Sequence, residues 1–246
     1  PTYTWATCNA GPCVASIQYG PQSRSTLVVH DVASGRVVYR YTSANTLRSL
    51  CYDDTRNELT VAGDGTVLMF KIRARVAPKR PKVRLARFGR PLDDRQQYIC
   101  MAVAPSRNML FLGNSYGFVD VWDTTNIWMH QHCFHPTTTA AYNSDLCAPV
   151  GNVVTDLAVS PDEQKLVVIT TEGAALWDVD TMQLVQRVLL QRAMCATFAG
   201  DEIYVGTEDG VVHRLDHDLN LLNSSFVGDL VQGLRYDAGS AILLVN

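Results

Sequence analysis

The 246-residue chain has no run of 18 apolar residues, so no segment reads as a helix that crosses a bilayer. Apolar residues at helical spacing are nearly missing as well. Only Leu184–Thr197 could be read as a helix on composition. A chain without helical period must build its core from sheets. The segment Lys71–Arg90 contains no acid at all, although Asp and Glu number 24 in the chain. The chain opens on Pro1, with neither a methionine nor a charged-then-apolar leader, which is the expectation for a trimmed or processed segment. Apolar residues make up 47% and charged residues 18%, enough for one domain with a sizeable core.

The chain is built on a repeated phrase. Val153–Asp180 holds three β-type runs, Val153–Val159, Leu166–Thr170 and Ala174–Val179, cut by the turn Ser160-Pro161-Asp162 and closed by Trp177-Asp178. Such a meander cannot cover its own apolar face and needs neighbours like itself. Leu47–Ile72, Tyr98–Asp123 and Ala193–Asp216 repeat the phrase, Tyr3–Val32 is a looser copy, and Leu230–Asn246 copies its first two strands. The third-strand ends fall at His30, Phe70, Trp122, Trp177 and Leu215, with spacings of 40, 52, 55 and 38 residues. A basic period near 40 with Trp-Asp dipeptides marks a propeller array.

These features resemble the WD40-repeat family over essentially the whole chain. The marks are Trp122-Asp123, Trp177-Asp178, the Ser160-Pro161-Asp162 turn, and the Asp64-Gly65 and Asp209-Gly210 turns. The family's Gly-His dipeptide is missing before every first strand, so the repeats are degenerate. The resemblance implies an all-β, WD40-type β-propeller in a single domain, 1–246. Its blades are expected near 1–45, 46–90, 97–134, 153–191, 192–228 and a partial 229–246. The first five carry four strands each, labelled A to D outward from the axis. The sixth carries two, and residues outside this segment or a partner are expected to complete the ring. Trp122 and Trp177 are then packing residues, and Asp123, Asp178, Asp64 and Asp209 are structural. Leu184–Thr197 becomes strand D of one blade and strand A of the next. Inserts at Arg73–Pro81 and His135–Asn152 are expected on opposite rims, the first with the A–B and C–D loops.

Seven cysteines is an odd number, and Cys100 and Cys195 share a repeat slot filled elsewhere by Asp156, Ser49 and Gly233. A slot that accepts these types wants a small side chain, so the thiols read as reduced and structural. That places the chain inside the cell, in cytoplasm or nucleus. Asn223-Ser224-Ser225 matches a glycosylation sequon that has no role there.

Candidate chemistry is sparse. Gly113-Asn114-Ser115-Tyr116-Gly117 matches the G-x-S-x-G nucleophile elbow, but a strand follows it where the elbow needs a helix. His130, His132, Cys133, His135 and Cys147 look like metal ligands, yet strand alternation sends them to both faces. Asp156 is the one charged residue in its strand-A slot. No catalytic residue, cofactor site or metal site is assigned, and no small-molecule substrate is expected.

Charge is the exception. Lys71–Arg90 holds nine of the 21 basic residues: Lys71, Arg73, Arg75, Lys79, Arg80, Lys82, Arg84, Arg87 and Arg90. Such a cluster suits an acidic protein or nucleic acid. It also suits a solvated outer strand protected from edge pairing. The leading expectation is a non-catalytic protein–protein interaction scaffold in a larger protein or multiprotein complex, with Arg73 to Arg90 as candidate partner contacts. The alternative is a nucleic-acid or ribonucleoprotein-associated propeller using 71–90. A propeller enzyme with a set of groups on the axis is a third reading.

Overall fold

The structure, a computed structural model, describes residues 3–20, 24–73, 82–89, 97–125, 130–134, 152–237 and 239–245. These residues form 22 β-strands and no helix. The first sheet is β1 (Tyr3–Ala10), β2 (Cys13–Tyr19), β3 (Ser25–Asp31) and β4 (Val37–Ser43). The second is β5 (Leu47–Asp53), β6 (Glu58–Gly63), β7 (Thr66–Arg73) and β8 (Lys82–Gly89). The third is β9 (Tyr98–Ala104), β10 (Met109–Asn114), β11 (Val119–Asp123) and β12 (His130–Phe134). The fourth is β13 (Val154–Val159), β14 (Lys165–Thr170), β15 (Gly173–Asp178) and β16 (Gln183–Leu189). The fifth is β17 (Ala193–Ala199), β18 (Glu202–Thr207), β19 (Val211–Leu215) and β20 (Leu221–Phe226). The sixth is β21 (Leu234–Asp237) and β22 (Ile242–Val245).

Strands follow chain order within every sheet. Leu184–Thr197 is two strands, β16 and β17, as the repeat register required. The sixth sheet starts at Leu234, not Val231. Val231 instead donates its N–H to Thr207 O at 3.1 Å and buries its side chain with Cys195 and Val212. His135–Asn152, with His135 and Cys147, lies outside the described residues except for Asn152.

Burial is greatest on the middle two strands of a sheet and least on the fourth, as β13 to β16 show. β6 is buried at all six positions and β14 at five of six, whereas β20 is exposed at all six. An inner strand with both faces covered reads as a continuous apolar run, and Leu166–Thr170 is one. Outer strands have little to cover.

The first strand of four sheets carries a bulge at one place, after Thr4, Leu47, Val154 and Ala193. A second bulge recurs between third and fourth strands, at Val29/His30, Met69/Phe70, Leu176/Trp177 and Arg214/Leu215. The bulges coincide with the sequence markers His30, Phe70, Trp177 and Leu215, so the repeats are equivalent residue by residue. An extra residue bends its strand and sharpens its twist.

The chain divides into two compact units, Pro1–Leu110 with Trp122–His130, and Phe111–Val121 with Gln131–Asn246. In the first, Ile17, Leu27, Val29, Leu47, Leu59, Leu68 and Phe70 form a core, with the rings of Tyr39 and Tyr41 edge-on to Phe70 at 5.7 and 5.6 Å. Two hydrogen bonds stitch its sheets, Tyr19 Oη to Leu47 O at 2.5 Å and Leu47 N to Ser25 Oγ at 3.0 Å. In the second unit, Val167, Ile169, Leu176, Ile203, Val205 and Leu215 form a core between the fourth and fifth sheets.

Candidate partner-binding site at the basic end of the second sheet

An aspartate stands at or just after the end of the third strand in four sheets: Asp31, Asp123, Asp178 and Asp216. Each accepts backbone N–H groups of the following turn. Asp178 Oδ1 takes Thr181 N and Thr181 Oγ1, both at 2.9 Å, and Asp123 Oδ1 takes Thr125 N at 2.7 Å. Asp31 takes Ser34 N at 3.2 Å, and Asp216 takes Asp218 N at 2.9 Å. Short polar side chains cap turns this way because they mimic a backbone acceptor. The bonds to Thr181 hold the Asp178 carboxyl below the usual range.

In the second sheet that position is Lys71. Ladder register shows what changed. In the fourth sheet Lys165 faces Asp178, and Lys165 Nζ lies 3.4 Å from its Oδ2. In the second sheet Glu58 faces Lys71, and Nζ lies 2.7 Å from Glu58 Oε1. The same cross-strand ion pair is present with its sign reversed. Without a capping aspartate β7 runs on to Arg73 and pairs there with Lys82, giving the longer C–D connection.

The reversal makes this end of the sheet basic. In the ladder Lys82 is opposite Arg73 and Arg84 opposite Lys71, and Lys71 and Arg73 are two residues apart on β7. Beside them lies the turn after β5. Asn57 O accepts Ile72 N at 2.9 Å, and Arg56 O accepts Lys71 Nζ at 3.2 Å. Arg56, Asn57, Lys71, Ile72 and Arg73 line a cleft of about 450 Å³. The neighbouring acids, Asp53 and Glu58, are buried and engaged. Arg56 Nε lies 3.8 Å from Asp53, which also takes Arg56 N and Thr55 Oγ1. Arg56 Nη1 donates to Thr124 Oγ1. Arg73 is exposed, and among the described residues no carboxylate lies within ion-pair distance of it.

Of the candidate contacts, Arg73 reaches this cleft, and Lys82, Arg84 and Arg87 are on β8, Arg87 opposite Met69. Arg75, Lys79, Arg80 and Arg90 lie outside the described residues. Arg56 and Asn57 were missed. Aligning the repeats one residue past the Phe70/Trp177 marker finds them, because the swap of Glu58–Lys71 for Lys165–Asp178 points to the turn between.

The structural candidates sit in the framework. Trp122 and Trp177 are 2% and 3% exposed. Asp209 accepts Thr207 Oγ1 in its turn, which lowers its pKa. Asp64 does more than turn the chain: Arg48 Nε donates to it at 2.8 Å, and its N–H donates to Thr46 O. Ser115 sits in a two-strand turn where Asn114 Oδ1 accepts Tyr116 N and Phe118 N, both at 3.0 Å. Cys133 is buried on β12. Burial pushes Cys51 and Cys195 up to about 12, which keeps them as inert thiols.

Asp156 links two sheets. Its Oδ1 accepts Leu157 N and its Oδ2 accepts Ala196 N, both at 2.9 Å, so it ties β13 to β17. Burial raises its pKa from 3.8 to about 6, against the lowering pull of those two N–H groups. Below about pH 4 the carboxyl is protonated folded or unfolded and costs nothing. As pH rises from about 4 to about 6 the folded state loses about 2–3 kcal/mol relative to the unfolded one, and above that the difference is constant. Thermal melts between pH 4.5 and 7.5 should therefore show this loss in the native chain and a flatter profile in Asp156→Asn. Parallel profiles would show that Asp156 does not titrate in this window.

No protein-family model matches the chain. No curated protein matches it either. Among solved structures 1409 chains match. One is a chain in the crystal structure of the mitotic checkpoint complex, at 13% identity, covering 100% of this chain and 72% of that one with a TM-score of 0.75. At that identity the likeness carries the fold and not the activity. The antiparallel four-stranded sheets are the blades of a β-propeller fold.

Proposed function

We propose that the chain is a non-catalytic protein–protein interaction scaffold of the WD-repeat type, a single propeller domain working within a multiprotein complex. One observation carries this reading. Four blades cap the third strand with the same aspartate, and the second blade inverts that charge and opens a basic cleft beside it. A repeated framework with one departing edge is how a rigid platform presents a binding surface. The match to a chain solved within a complex supports protein partners. Cys13, Cys51 and Cys195 are free thiols, which supports a reducing, intracellular setting. No helix among the described residues is long and apolar enough to cross a membrane.

The test is isolation of the tagged chain from its own cells after mild cross-linking. The expected result is recovery with partner proteins at fixed stoichiometry, in a species well above the 27.2 kDa of the chain. Recovery as an isolated chain at every salt concentration would reject the scaffold reading.

A further inference from the structure

We infer that the cleft lined by Arg56, Asn57, Lys71, Ile72 and Arg73 docks an acidic peptide segment of a protein partner. The inference rests on the scaffold reading and names the chemistry of one partner.

The first ground is uncompensated charge. Lys71 is held by Glu58 and Arg56 lies beside Asp53, so the two buried acids are occupied from within. Arg73 then adds an exposed cation to the lining of the cleft, with Lys82 opposite it in register and Arg84 opposite Lys71. Asp54 is the one exposed acid in the adjoining turn. A guanidinium on an open cleft offers paired N–H donors that fit a carboxylate side by side.

The second ground is extent. Outside Lys71–Arg90 the chain carries 12 basic residues against 24 acidic ones. Positive charge is therefore concentrated in one stretch of the sequence, on a chain that is otherwise strongly acidic. Charges farther apart than about 8 Å are screened at physiological salt, so a short acidic segment feels mainly the cleft. Of the three cations that line the cleft, Arg56 and Lys71 are already paired with Asp53 and Glu58, which falls short of the run of phosphate contacts that sustains duplex binding.

The experiment is a fluorescence-anisotropy titration of the chain with a fluorescein-labelled peptide of ten glutamates, at low and physiological salt. Saturable binding that weakens with salt is expected. Arg73→Glu should weaken it about tenfold or more, and Arg73→Gln by a smaller factor. Reversal of the exposed Arg187 on the fourth sheet should leave it unchanged. Circular dichroism and melting of each variant check that the fold is retained, as expected for exposed positions. Absence of saturable binding, or equal binding by Arg73→Glu and the native chain, overturns the inference. So does a ten-nucleotide single strand that displaces the peptide at lower concentration, which would assign the cleft to nucleic acid. Failure here is separable from failure of the scaffold reading. If only the cleft is wrong, partners co-purify equally with native chain and Arg73→Glu. If the scaffold reading is wrong, the native chain is recovered alone.

Discussion

Trp177→Ala should lower the stability of the fold by about 3–5 kcal/mol, the range for removing a buried aromatic side chain. Trp177 is 3% exposed, on β15 between Leu166 of β14 and Leu184 of β16. The loss combines withdrawn apolar contact with a cavity that the two flanking ladders prevent from collapsing. Domains of this size are stable by only about 5–15 kcal/mol, so a large share of the total is at stake. Urea titration should show a lower midpoint with an unchanged slope, as expected when stability falls and the exposed surface on unfolding does not change. A loss under about 1 kcal/mol would mean that the indole is not a core residue. The neighbouring Asp178→Ala should cost only about 1 kcal/mol, because it removes a turn cap and leaves the packing intact.

Gly63→Ala should cost at least about 3 kcal/mol, a large effect for one methyl group. A Cβ at Gly63 would lie 1.9 Å from Thr46 O and 2.7 Å from Leu47 Cα. Both are backbone atoms, and neither can swing away as a side chain would. Gly63 faces Leu47 beside the first-strand bulge, and Asp64 N donates to Thr46 O at 2.8 Å, which fixes that carbonyl. The substitution must push β5 away from β6 or break that bond. Gly233→Ala is the control, since nothing lies within 4 Å of its Cβ position and its φ is not positive. It should be neutral or stabilise by a few tenths of a kcal/mol through the unfolded chain. Melting temperatures of the two variants check this directly, and equal values would show that the close approach at Gly63 is absent.

The architecture was legible because its signals are local. Leu166–Thr170 reads as a covered strand from its composition, Ser160-Pro161-Asp162 reads as a turn, and Trp177-Asp178 marks a strand end. The structure places the recurring bulge at the same marker residues. Boundaries slipped where a residue outside a ladder found another partner, as Val231 did with Thr207 O. The basic segment was also legible as a run of charge. Its usable geometry was not, because Arg56 enters from a turn 15 residues upstream of Lys71, and only pairing brings the two together. The place of Asp156 was hidden for the same reason. The sequence shows a lone charged residue in a first strand, and one of its two acceptor bonds goes to Ala196, 40 residues away.

By itself the sequence determined the all-β class, the number and order of the strands, and the existence of one edge rich in cations. These follow from side-chain alternation, turn chemistry and a repeat that contacts mainly its neighbours, all of which act over a few residues. Only the tertiary structure decided which charges are neutralised and which remain open. Glu58 and Asp53 are acids in the sequence like any others, and burial beside Lys71 and Arg56 removes them from the surface balance. Arg73 is left exposed because β7, lacking the aspartate that stops the other third strands, continues two residues past that point. Electrostatic compensation depends on separations of a few ångströms between residues far apart in the chain, and those separations exist only once the sheets have formed.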